Sequence, residues 1–125
     1  GHTISHFSSR GPTRAGIDKP DTYAPGQCRT VALSGDVAAP IMAEIEDNYL
    51  LTEDSRHWVT EGTSYAAPFV TALISRMVQE RPCLTPREIR QILISSSDYL
   101  FDRSELFLKV NCDKALKLAK NSACR

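Results

Sequence analysis

The chain has 125 residues, 42% hydrophobic and 24% charged, the composition of one globular domain with a single core. Its fifteen basic and fifteen acidic side chains cancel, which gives no electrostatic footprint for nucleic acid or an anionic membrane. No apolar stretch is long enough to span a bilayer, and the opening GHTISHFSSR lacks the basic-then-apolar pattern of a signal peptide. Compartment stays open on these grounds.

In chain order, residues 3–7 predict a short strand, broken by Ser8, Ser9, Gly11 and Pro12. Residues 13–21 are polar and predict a surface loop. Residues 21–24 predict a short extended piece that Pro25-Gly26 ends. Residues 29–33 predict a strand, stopped by Ser34-Gly35-Asp36. Residues 41–45 and 49–52 suit a hairpin around Glu46-Asp47-Asn48, although Ala43, Glu44 and Glu46 also suit a helix. Residues 57–60 predict a strand running into Glu61-Gly62.

The second half is helical in pattern. Over 64–81, Ala66, Ala67, Phe69, Val70, Ala72, Leu73, Ile74, Met77 and Val78 cover most of the helix circumference. A helix apolar on most sides belongs inside a domain. Pro68 falls in its first turn or just beyond, where a lost amide bond costs least. Thr85-Pro86-Arg87-Glu88 is a helix start: Thr85 as N-cap, Pro86 at N1, Glu88 closing a capping box. Ile89, Ile92 and Leu93 supply its buried stripe, and the serines 95–97 end it. Residues 106–110 predict a strand. Asn111 then caps a last helix over 112–120, with Ala115, Leu116 and Ala119 inward.

The cysteines are Cys28, Cys83, Cys112 and Cys124. None forms CxxC, and none has a histidine at zinc-finger spacing. The expectation is no metal site and buried free thiols, with a disulfide such as Cys112–Cys124 as the alternative.

Gly62-Thr63-Ser64-Tyr65-Ala66-Ala67-Pro68 is the segment that carries chemistry. A nucleophilic serine needs an exposed hydroxyl on a rigid backbone, amides aimed at the developing oxyanion, and small neighbours. A serine at the N-terminus of a buried helix has all three, because first-turn amides and the helix dipole favour negative charge there. Gly62 lets another chain approach, and Ala66 and Ala67 keep the site open. Taken alone, Gly-Thr-Ser before a helix is also an ordinary cap. Pro68 beside two alanines inside an apolar helix is an odd choice for a cap alone.

GTSYAAPFV resembles the GTSMAAPHV nucleophile motif of the subtilases, the subtilisin-like serine peptidases. Tyr65 stands where methionine is usual, and Phe69 where histidine is common. FSSRGPT at 7–13 and KPDTYAPG at 19–26 resemble the family's FSSRGP and KPDxxAPG segments, in the expected order. LTPREIRQIL at 84–93 resembles the helix that follows the nucleophile helix. LKVNCDKAL at 108–116 resembles the closing strand and helix.

The resemblance implies an α/β fold: residues 1–125 as the C-terminal portion of a three-layer catalytic domain, a parallel sheet flanked by helices. It implies a surface insertion or hairpin at about 35–56, and structural roles for Ser8, Ser9 and Asp21. It implies a serine endopeptidase with Ser64 as nucleophile, the Ser64 amide in the oxyanion hole, and Gly62, Thr63, Ala66 and Pro68 as supports. In the family the triad Asp and His and the oxyanion Asn lie upstream of FSSRGP. The expected partners are therefore a protein or peptide substrate and an N-terminal portion supplied in cis or in trans. His2, His6 and His57, and Asp21 and Asp36, lack the family's context for the triad. No cofactor is expected. Calcium occurs in the family, but no acidic loop here has ligand spacing for it. Without its N-terminal half, the isolated chain is expected to associate or to be marginally stable. The alternative reading is an inactive binding or regulatory module, or a remnant, on the same scaffold.

Overall fold

Apolar spacing and capping chemistry build three helices, and short β-prone runs build two small sheets. The computed structural model describes residues 3–32, 34 and 56–123. Along the chain come β1 (Arg29–Ala32), β2 (His57–Thr60), α1 (Thr63–Glu80), α2 (Pro86–Ser96), β3 (Asp98–Asp102), β4 (Glu105–Lys109) and α3 (Cys112–Asn121). The predicted hairpin at 41–52, the region 35–55, His2 and Asp36 lie outside the described residues.

The capping box forms as its sequence requires. The Glu88 amide donates to Thr85 Oγ1 at 3.3 Å, and the Thr85 amide donates to Glu88 Oε2 at 2.8 Å. Asn111 caps α3 by accepting from the Lys114 amide at 3.0 Å. The core then assembles between helices, because α3 packs against both α1 and α2. Leu73 and Met77 of α1 meet Ile89, Ile92 and Leu93 of α2 and Ala115 and Ala119 of α3. Met77, Ala115 and Ala119 are 0% exposed, so the two alanines let the helices approach closely around the methionine.

Both sheets are antiparallel pairs. β1 pairs with β2 from Arg29↔Thr60 to Ala32↔His57. β3 pairs with β4 from Asp98↔Lys109 to Asp102↔Glu105. β3 is a strand the sequence reading did not predict. Parallel pairing among the described residues is limited to a bridge between Tyr23 and Lys109. There the Tyr23 amide donates to the Leu108 carbonyl at 2.7 Å and its carbonyl accepts from Val110 at 2.8 Å. The Tyr23 ring meets Phe107 edge-on at 5.4 Å. The extended piece expected at 21–24 is thereby laid along β4. These helices and small antiparallel pairs, arranged around a helical core, are compatible with a portion of an α/β fold.

Two expectations need correction. Residues 3–7 form no strand, because the Ile4 amide donates to a carboxylate, Asp102 Oδ2, at 3.0 Å, and Ser8 turns back onto Ser5. None of the described cysteines is a buried thiol. Cys28 is free and exposed and Cys112 is free and half-buried, which excludes a Cys112–Cys124 bridge, whereas Cys83 is disulfide-bonded. α1 leaves one face open, the exposure expected of the chain without an N-terminal half. Ser64, Ala67, Pro68, Thr71, Ala72 and Ser75 are exposed along one face. Its hydroxyls turn inward onto the helix: Thr71 donates to the Ala67 carbonyl at 3.1 Å and Ser75 to the Thr71 carbonyl at 3.0 Å. Exposed large apolar side chains include Val78 on α1 itself, Tyr99, Phe101 and Leu106 on the β3–β4 pair, Leu118 on α3, and Ile17.

Candidate active site

Ser64 is the second residue of α1, and its side chain is exposed. The residue before the helix, Gly62, has φ 150° and ψ 155°, a conformation open to glycine and costly for other residues. That turn swings the chain from β2 into the helix. No side chain caps it, and the first turn holds no acidic residue. The Tyr65 amide closes onto the Gly62 carbonyl at 3.0 Å. The amides of Thr63 and Ser64 have no intrahelical acceptor by the geometry of a helix start. Uncapped amides, a first turn without acidic side chains and a positive dipole end all favour an anion beside Ser64.

Pro68 is the sixth residue of α1, so it lies beyond the first turn. It has no N–H to give to the Ser64 carbonyl four residues back. The turn that carries Ser64 is thus one bond less committed to the rest of the helix. Rigidity comes instead from below: Phe69, Val70, Leu73, Ile74 and Met77 pack into or against the core.

The structure brings Gly62, Thr63, Ser64, Ala66 and Pro68 together in the first two turns. It does not bring the other candidates there. His57 pairs with Ala32 at the far end of β2, about 10 Å along the strand from Thr60 at the usual rise per residue. His6 is exposed and packs edge-on to Phe7 at 5.3 Å. Asp21 is engaged elsewhere: it pairs with Lys19 and with Arg90 of α2. The Lys19 hydrogen bond, with Arg90 beside it, holds the Asp21 carboxyl below its ordinary 3.8 against the opposing effect of burial. Asp21 therefore fastens the 19–26 loop to α2, the structural role expected of it. Ser9 is exposed and Ser8 bonds weakly to the Ser9 carbonyl at 3.4 Å.

The FSSRGP segment is tied to the β3–β4 pair through Arg10, which meets Asp102 at 3.5 Å and also pairs with Glu105. A groove of about 510 Å³ opens between the 19–26 loop, α1 and α2, lined by Val70, Ile74, Ile89 and Leu93 with Asp21 and Arg90 at its edge. None of residues 61–68 lines it, so it is separate from Ser64. Among the described residues no three His, Cys, Asp or Glu side chains group as metal ligands, and no helix is long and apolar enough to cross a membrane.

The loop supplies one contact that the sequence reading missed. The Gly62 amide donates to the Gly26 carbonyl at 2.8 Å. The Pro25-Gly26 turn signal gave the place of Gly26 in the chain, but not its partner 36 residues away.

The Subtilase family (Peptidase_S8) matches residues 1–115. Serine protease AprX of Bacillus subtilis is 32% identical over 102 residues, covering 77% of this chain and 21% of that protein. The CO(2)-response secreted protease of Arabidopsis thaliana is 34% identical over 100 residues, covering 75% of this chain and 12% of that protein. An uncharacterised protein of Aquifex aeolicus is 30% identical over 96 residues, covering 75% of this chain and 40% of its own length. The chain thus spans well under half the length of each of these relatives. No solved structure matches it at significance.

Proposed function

The chain belongs to the subtilase family of serine peptidases, and on that premise we propose that it is the nucleophile-bearing, C-terminal portion of an endopeptidase catalytic domain. The observation that carries the proposal is the exposed Ser64 hydroxyl at the uncapped start of a helix anchored in the core. Ser64 attacks the scissile carbonyl of a protein or peptide substrate. A histidine from the N-terminal portion, oriented by an aspartate, takes its proton. The Ser64 amide and an asparagine side chain from that portion hold the oxyanion. The histidine then protonates the leaving amine, and water releases the acyl-enzyme. The mechanism uses no cofactor, and no calcium site is assigned.

A serine without its base is a weak nucleophile. The N-terminal portion is therefore a functional partner, in cis or in trans. It would add the parallel sheet and complete the three-layer arrangement. The small exposed face of α1, with Ala67, Pro68, Thr71, Ala72 and Ser75, supports close packing of a further layer.

Ser64→Ala in the full-length protein tests the proposal. Peptide hydrolysis falls by about 10⁶-fold if Ser64 is the nucleophile. Hydrolysis that persists at the unmodified rate rules Ser64 out as the nucleophile, and a wild type that hydrolyses nothing assigns the scaffold to binding instead.

A further inference from the structure

Gly26 ends the 19–26 loop and meets the serine segment directly. A Cβ built on Gly26 would stand 2.8 Å from the Gly62 carbonyl oxygen and 3.2 Å from the Ala66 Cβ. The first contact is with backbone. That oxygen is not free to swing away, because it accepts the Tyr65 amide that closes the first turn of α1. Gly26 does not have a positive φ. Its need for glycine is therefore one of space and not of backbone conformation.

The loop behind Gly26 is also held. Tyr23 is bonded on both sides to the β4 segment. Thr22 Oγ1 donates to the Leu108 carbonyl at 2.9 Å and lies 3.2 Å from Ser97 Oγ. Asp21 pairs with Arg90. A displacement forced at Gly26 thus falls on Gly62 and the start of α1, two residues from Ser64.

We infer that Gly26 is a positioning residue for Ser64: its bare backbone seats the loop on Gly62 and so fixes the turn that aims the Ser64 hydroxyl and amide. The inference rests on the proposed role of Ser64, and Gly26 acts only through Gly62. Misplacing a reacting group by about 1 Å costs on the order of 10²-fold in rate.

The test compares full-length wild type, Gly26→Ala, and Thr30→Ala, whose side chain is exposed on the neighbouring β1. A fluorophosphonate probe is titrated to separate its binding constant from the maximal rate of phosphonylation. Gly26→Ala is expected to lower the maximal rate by about 10- to 100-fold, with the binding constant and the far-ultraviolet dichroism unchanged. Thr30→Ala is expected to behave as wild type. A wild-type maximal rate in Gly26→Ala, or a loss confined to probe binding, overturns the inference. Amide hydrogen exchange gives a readout that needs no chemistry. The Gly62 amide is expected to be protected in wild type and to exchange faster in Gly26→Ala, while α2 amides keep their protection. If Ser64 of the wild type takes no probe, the functional reading fails and exchange alone decides on Gly26. An unprotected Gly62 amide in wild type overturns the contact even if the variant does not fold.

Discussion

Met77→Ala is the perturbation that most directly tests how Ser64's helix is anchored. Met77 is 0% exposed and packs in the cluster that joins α1 to Ala115 and Ala119 of α3. The substitution removes roughly three methylene-sized groups, about 0.8 kcal/mol each in transfer. The neighbouring alanines cannot grow into the space, so a cavity term of about 1 kcal/mol is added. The expected loss is about 3–4 kcal/mol, a large share of a typical domain's stability. Met77→Leu conserves volume and should cost less than about 1.5 kcal/mol. Urea unfolding of the full-length protein, followed by dichroism, measures both. A Met77→Ala loss below about 1 kcal/mol with an unchanged slope would refute the packing argument, since the helix would then not depend on this side chain.

The remaining predictions concern the supports of the site. Thr85→Ala removes the acceptor for the Glu88 amide and half of the capping box, and should cost about 1 kcal/mol in the same unfolding assay. Asp21→Asn releases the pairs with Lys19 and Arg90. These pairs are partly exposed, so the loss at neutral pH should be under about 1 kcal/mol. Because the folded carboxyl is held below its ordinary 3.8, its stabilisation is present above that pH and is lost as pH falls through the folded value. The stability gap between wild type and Asp21→Asn should therefore close in acid and persist at pH 7. A gap that widens in acid would contradict the assignment.

Much of the helical half was legible because its signals are local. Thr85, Pro86 and Glu88 specify a helix start within four residues, and Asn111 does the same for α3. β3 was not legible, and the reason lies in its turn. Arg103 and Ser104 take φ 48° and 74°, the positions where a two-residue hairpin usually shows Asn-Gly. Without that signal nothing local marks the run 98–102 as a strand. For the site, Gly62, Thr63, Ser64, Ala66 and Pro68 are contiguous, so the sequence displays them together. The Gly26–Gly62 bond joins distant segments, and no local rule reveals it. The disulfide state of Cys83 was equally a long-range fact.

The central claim is that Ser64 is a nucleophile activated by groups from the N-terminal portion. Its most direct test is fluorophosphonate labelling of the isolated chain, and of the chain combined with that portion, with the adduct mapped by mass spectrometry. The account predicts strong labelling of Ser64 in the combination and little in the chain alone. No labelling of Ser64 in either sample would contradict it.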